Sequence, residues 1–312
     1  MVLAGKLPLL VLLGPTASGK TGLAIDIANT INGEIIGADS RQIYRYMDIG
    51  TAKPTAEQQA AAQHHLIDIL TPDQSLSLAQ YQRLAYVTID AVHQRGAVPM
   101  LVGGTGQYTT AVIEGWSIPE VPPNPALRAE LEACAAEYGP AALHDRLRQH
   151  DPDAADAIDY RNVRRVVRAL EVYIESGRPI TELQRKQPPP YTVHVLGLTL
   201  DREQLYERAD QRLDAMMAAG FLDEVRWLLD QGYDRRLPAM SGLGYAQLIT
   251  HLRDGVPLAN AVEAAKTATH DFIRRQYTWF RGHDPGILWY DSQHLSRSEV
   301  IADVQQWLKN HV

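Results

Sequence analysis

Between Leu9 and Thr21 the chain reads LLVLLGPTASGKT. A run of apolar residues such as 9–13 suits a strand buried on both faces, the situation of an inner strand in a parallel sheet. The run passes into Gly14-Pro15-Thr16-Ala17-Ser18-Gly19-Lys20-Thr21, which fits the phosphate-loop pattern G-x-x-x-x-G-K-[ST]. Residues 20–30 then carry Leu23, Ala24, Ile27 and Ala28 at helical spacing. A strand, a glycine loop and a helix in that order leave the chain little choice beyond an α/β sheet. A second strand over 34–38 completes a βαβ unit, and 98–102 reads as another buried strand after a helical pattern over 78–95.

The character changes at EGWSIPEVPPNP, where Pro119, Pro122, Pro123 and Pro125 break regular structure. Helical patterns fill 126–182, three successive prolines (188–190) follow, and 193–200 reads as a strand returning to the sheet ahead of helices that include 202–219 and 260–280. The expected architecture is therefore a P-loop NTPase-like parallel sheet with helices on both faces, built from 1–115 and 191–312 and interrupted by an all-helical insertion over 116–190. The opening segment superficially resembles a signal peptide, but its apolar run leads directly into the glycine loop and serves better as a strand. No later stretch approaches the ~20 apolar residues of a membrane span. With one cysteine, Cys134, no intrachain disulfide can form, and no Cys/His cluster has zinc spacing. A soluble cytoplasmic monomer is expected. The net charge of −7 argues against a protein that coats nucleic acid over its whole surface.

In the loop, backbone N–H groups of Gly14, Thr16, Ala17, Ser18 and Gly19 can curl around an anion beside a helix N-terminus. Lys20 reaches outer phosphate oxygens, and the Thr21 hydroxyl can bind Mg²⁺. The strand over 98–102 ends in glycines and lacks the aspartate that a motor or switch NTPase places there for its metal. The available carboxylate is Asp39, after the second strand, at the sheet edge where open α/β folds place ligands. Asp39 also suits a turn or helix cap. As a base, it would accept a proton from a nucleophile while the loop holds a phosphorylated partner. Two classes fit: a small-molecule kinase, and a transferase whose leaving group is diphosphate.

GADSRQIYRYMDIGTAKPT, from Gly37 to Thr55, resembles the tRNA dimethylallyltransferase family in D-S-x-Q-x-Y followed by M-D-I-G-T-A-K-P. QHHLIDI at 63–69, LVGGTGQY at 101–108, RRVVRALEVY at 164–173 and RRQYTWFRG at 274–282 are similar to the same family in the same order. The resemblance covers nearly the whole chain. It implies transfer of a dimethylallyl group from dimethylallyl diphosphate to N6 of the adenosine 3′ of the anticodon, position 37, in tRNAs reading codons that begin with U. The product would be N6-dimethylallyladenosine. On that resemblance the loop holds the diphosphate with Mg²⁺, Asp39 is the base, and Thr16 and Arg212 act near the reacting centre. Asp39, Ser40, Arg41 and Gln42 receive a flipped adenine, with Thr105 also touching tRNA. Arg212 could alternatively be a solvated helix-face arginine beside Asp210 and Asp214.

Arg161, Arg164, Arg165 and Arg168 fall at i, i+3, i+4 and i+7, beside an apolar stripe of Val163, Val166, Val167 and Leu170. Between residues 160 and 190 seven Lys/Arg stand against three Glu, a local basic excess that the total charge conceals. A charge run alone is ordinarily a solvated face. With the resemblance, Arg164, Arg165 and Arg168, and more weakly Arg128, become phosphate contacts for tRNA. Trp279 and Phe280 read as core. The sequence departs from the family at His270, where an Arg is usual, at Ile273-Arg274 in place of Ala-Lys, and at Gln107 in place of Leu. Three rivals stay open: an adenylate isopentenyltransferase acting on free nucleotide, a small-molecule kinase, and a non-catalytic RNA-binding module.

Overall fold

The computed structural model describes residues 7–282 and 286–311. The first six residues of the leader-like segment lie outside the described residues. In chain order the elements are β1 (Leu7–Leu13), α1 (Lys20–Ile31), β2 (Gly33–Gly37), α2 (Ala56–Ala61), β3 (His64–His65), α3 (Leu78–Gln94), β4 (Val98–Gly103) and α4 (Gly106–Glu114). Helices α5 (Pro125–Tyr138), α6 (Pro140–His150), α7 (Pro152–Ala157), α8 (Val163–Ser176) and α9 (Ile180–Leu183) follow. The chain then runs through β5 (Tyr191–Thr199), α10 (Arg202–Ala218), α11 (Phe221–Asp230), α12 (Tyr245–Asp254), α13 (Leu258–Gly282), β6 (Leu288–Asp291) and α14 (Arg297–His311).

Among the described residues the strands form one sheet in the order β3-β2-β4-β1-β5-β6, and every pairing is parallel. β1 lies between β4 and β5, so Leu9 to Leu13 are all but inaccessible to solvent. The two-residue period of a strand divides them. Leu9, Val11 and Leu13 pack with Tyr81, Ile89 and Val92 of α3 on one face, while Leu10 and Leu12 pack with Leu23, Ile27 of α1 and Val300, Val304 of α14 on the other. Phe280 belongs to the first of these cores, with Trp279 packed partly against it. The short edge strands β3 and β6 escape the sequence reading, since neither is long enough to show a period.

The chain divides into two compact units, one of Met1–Ile113 with Pro190–Val312 and one of Glu114–Pro189. The second unit is not one helical run. Its prolines 125, 140 and 152 each open a helix, where a fixed φ helps and no N–H is missed. Asn124 caps α5 by accepting from Leu127 N. Leu131, Leu143, Leu147, Val166, Val167 and Leu170 close a separate core. In the first unit, α11, α12 and α13 form another core with Ile43, Tyr44 and Met47, anchoring the long loop that follows β2.

Candidate active site

The loops leaving the carboxyl ends of β1, β2 and β4 converge. After β1, Gly14 has φ of +147° and a Cβ there would meet the Leu198 carbonyl at 2.4 Å, so only glycine lets the loop approach β5 this closely. Ala17 takes a left-handed conformation with φ of +64°. The Lys20 ammonium, at the first position of α1, donates to the Pro15 carbonyl at 2.7 Å. Burial lowers its pKa to about 8, Arg212 pushes it the same way, and Asp39 opposes them. The Ser18 hydroxyl is buried, with no hydrogen-bond partner among the described residues. Thr21 lines the cavity in front of the loop. The Thr16 amide, expected to face an anion, donates instead to Gln276 Oε1 at 2.9 Å. That amide is therefore withdrawn from the anion-binding set in this arrangement.

Asp39 Oδ1 accepts from Arg41 N at 2.8 Å and Gln42 N at 3.4 Å, so one oxygen does form a turn. Among the described residues Oδ2 receives no protein hydrogen bond. Ser40 N donates to Thr105 Oγ1 at 3.0 Å, and Thr105 N donates to the Ala38 carbonyl at 3.1 Å, tying the loop after β4 to the loop after β2. The Arg41 guanidinium holds the turn at 238–241, donating to the Pro238 carbonyl at 2.6 Å and to Ser241 Oγ at 3.3 Å. Gln42 Nε2 donates to the carbonyls of Thr51 and Ala52. The side chains of Arg41 and Gln42 thus build the walls of the site. The loop they hold is fixed further by Glu224, whose carboxylate accepts from the backbone N–H groups of Asp48, Ile49 and Gly50.

Two neighbouring cavities result. The first, about 490 Å³, lies before the phosphate loop and is lined by Lys20, Thr21, Lys53, Arg208 and Gln276. The second, about 330 Å³, is lined by Ser40, Arg41, Thr105, Arg275 and the segment from Ser241 to Tyr245. Thr16, Asp39, Arg212 and Phe272 line both. Arg212 is accordingly not the solvated helix-face residue that its acidic neighbours suggest, because Asp210 pairs with His270 and Asp214 with Lys266. Burial lowers the Arg212 pKa while Asp39 raises it. His270 also stacks on Tyr206, with ring centroids 4.1 Å apart. Among the described residues no cluster of His, Cys, Asp or Glu could by itself hold a metal.

Sequence reasoning missed Arg208, Phe272, Gln276 and the 241–245 segment. Arg208 stands one helical turn before Arg212, a spacing that could have exposed it; the others carry no local signal.

In the second unit the expected arginine stripe splits. Arg161 precedes α8, outside the helix, and pairs with Asp159. Arg128 Nε and Nη2 each donate at 2.7 Å to Glu171, and Arg168 joins the same carboxylate at 2.7 Å while also reaching the Val121 carbonyl. The Glu171 side chain is fully buried, so these two arginines have a structural task that the sequence did not reveal. Arg164 and Arg165 remain exposed, and among the described residues neither guanidinium has an acidic partner.

The sequence model of the family described as IPP transferase matches residues 42–283. The chain belongs to the IPP transferase family. Among its relatives, the tRNA dimethylallyltransferase of Chloroflexus aggregans is 57% identical over 94% of this chain and 99% of its own length. The solved tRNA isopentenylpyrophosphate transferase of Bacillus halodurans is 39% identical, covers 97% of this chain and 96% of its own, and superposes with a TM-score of 0.72. A eukaryotic dimethylallyltransferase solved acting on tRNA shares the fold, with a TM-score of 0.81 at 23% identity over 98% of this chain and 80% of its own. Membership in the IPP transferase family thus holds from sequence and from architecture.

Proposed function

We propose that this chain transfers a dimethylallyl group from dimethylallyl diphosphate to N6 of the adenosine at position 37 of tRNA, giving N6-dimethylallyladenosine and diphosphate. The observation that carries this reading is Asp39 on the wall shared by two cavities, one facing a phosphate loop and one facing the Ser40–Thr105 side. The donor's diphosphate occupies the first cavity and the flipped adenine the second. The N6 lone pair forms a bond to the allylic carbon as the carbon–oxygen bond to diphosphate breaks, and the N6 proton passes to Asp39 Oδ2. Lys20, Arg212 and the amides from Ala17 onward stabilise the charge growing on the leaving group. The Thr21 hydroxyl, together with diphosphate oxygens, suits Mg²⁺, which takes few protein ligands when phosphates supply the rest. Bound there, the ion would neutralise leaving-group charge.

The relatives' names support tRNA over a free nucleotide as acceptor. The substrate tRNAs are those reading codons that begin with U. A monomer in the cytoplasm completes the reading; no described helix is long and apolar enough to cross a membrane. The test is to incubate the protein with Mg²⁺, dimethylallyl diphosphate and either unmodified tRNA or AMP, and to follow each acceptor by mass spectrometry. A prenyl increment on tRNA alone, mapped by nuclease digestion to position 37, is expected. An increment on AMP would turn the acceptor assignment to a free nucleotide, and none on either would return the kinase reading.

A further inference from the structure

Gln276 sits on α13, 260 residues along the chain from Thr16 of the phosphate loop, with 5% of its surface exposed. Its carbonyl oxygen accepts from Thr16 N at 2.9 Å, and its amide nitrogen donates to the Gly104 carbonyl at 2.8 Å. The two partners belong to different loops, the one after β1 and the one after β4. A Cβ on Gly104 would lie 2.5 Å from Gln276 Nε2 and 3.3 Å from the Gly14 carbonyl, so the three segments meet with no room for a side chain.

We propose that Gln276 is a positioning residue that sets the spacing between the donor half and the acceptor half of the site. The proposal rests on the transferase reading above. On the donor side it fixes Thr16, which lines both cavities. On the acceptor side it fixes Gly104, and the next residue, Thr105, in turn holds Ser40 N beside Asp39. A primary amide is suited to the task because it accepts and donates at once from one rigid plane. A glutamate of the same shape keeps the acceptor but turns a carboxylate oxygen toward the Gly104 carbonyl. Methionine keeps the volume and makes neither bond. An ångström of slack between nucleophile and electrophile costs on the order of 100-fold in rate, without a matching loss of binding.

The test compares wild type, Gln276→Glu and Gln276→Met in single-turnover transfer from dimethylallyl diphosphate to unmodified tRNA, with melting temperature and affinity for inorganic pyrophosphate measured alongside. Both variants are expected to react with full amplitude but with a rate constant lowered by about 10- to 100-fold. KM for both substrates and pyrophosphate affinity should stay within about threefold. A reduced amplitude at an unchanged rate constant would mean that Gln276 serves folding only. A raised donor KM or weakened pyrophosphate binding at unchanged rate would make it a binding residue, and an unchanged rate constant would likewise overturn the proposal. Wild-type protein that transfers nothing would overturn the transferase reading itself, and this inference with it.

Discussion

Asp39 divides its carboxylate: one oxygen holds the turn to Arg41 and Gln42, and the other receives no protein hydrogen bond among the described residues. Asp39→Asn preserves the acceptor of that turn and removes the proposed base. Transfer should fall by at least about 100-fold, with tRNA affinity, measured by filter binding, changed no more than a fewfold. Unchanged turnover would remove Asp39 from the mechanism. Lys20 makes a second prediction. Its folded pKa of about 8 lies below the ordinary 10.5, so between those values the unfolded chain binds a proton that the folded chain does not. Stability therefore rises with pH across that window, and at pH 7 the buried charge costs about 3 kcal/mol. Lys20→Met should melt above wild type at pH 7 and lose its advantage by about pH 10, while abolishing transfer; thermal melts at the two pH values check it.

At the scale of elements, Glu171 of α8 joins the start of α5 to the chain before it. Burial alone would push its carboxyl up, but Arg128, the Asn124 N–H and Arg168 outweigh it and hold it at about 2. A carboxyl held down stabilises the fold above its ordinary value of 4.5, and that stability is lost as pH falls toward 2. Glu171→Ala, leaving two guanidiniums without their anion, should cost about 3 kcal/mol at neutral pH. Denaturant melts should show the difference narrowing through the acid range. None of this could be read from RRVVRALEVY, where Arg168 and Glu171 look like two more charges on a helix. The β1–α1–β2 unit was legible because a glycine loop, an apolar run and a helical period coincide within a few turns of chain. β3 and β6 were not, since two and four residues at a sheet edge carry no period. Gln276 was hidden for another reason: its partners lie in loops far away in sequence, and a glutamine inside RRQYTWFRG has no pattern that announces a buried bridge.

Across the whole molecule, the reading of the sequence was strongest where one motif fixes a backbone shape, as at Gly14 to Thr21 and in the turn that Asp39 holds. It was weakest for surface charge, where a sum over residues 160–190 did not distinguish arginines occupied by a buried carboxylate from those free in solvent. Among the described residues Arg164 and Arg165 are exposed without an acidic partner, and they carry the prediction for RNA. Replacing both with alanine should weaken tRNA binding by a similar factor for all tRNA sequences and reduce the slope of log affinity against log salt by about 1 per residue. A salt titration with an unchanged slope would assign them to the solvated surface.

The order in which the strands leave the ribosome follows from the sheet. β1 is made first and β4 can join it early, but its other neighbour, β5, follows only after all five helices of Glu114–Pro189 have been synthesised. During that interval the backbone of LPLLVLL has one unpaired edge, an apolar template for the wrong partner. Meanwhile the helices of the insertion, whose contacts are local, can settle around Leu131, Leu147 and Leu170. A chain that places the second partner of an apolar inner strand beyond an insertion leaves that strand's edge open until the insertion has been made, so slow synthesis of 114–189 lengthens the interval in which mispairing competes.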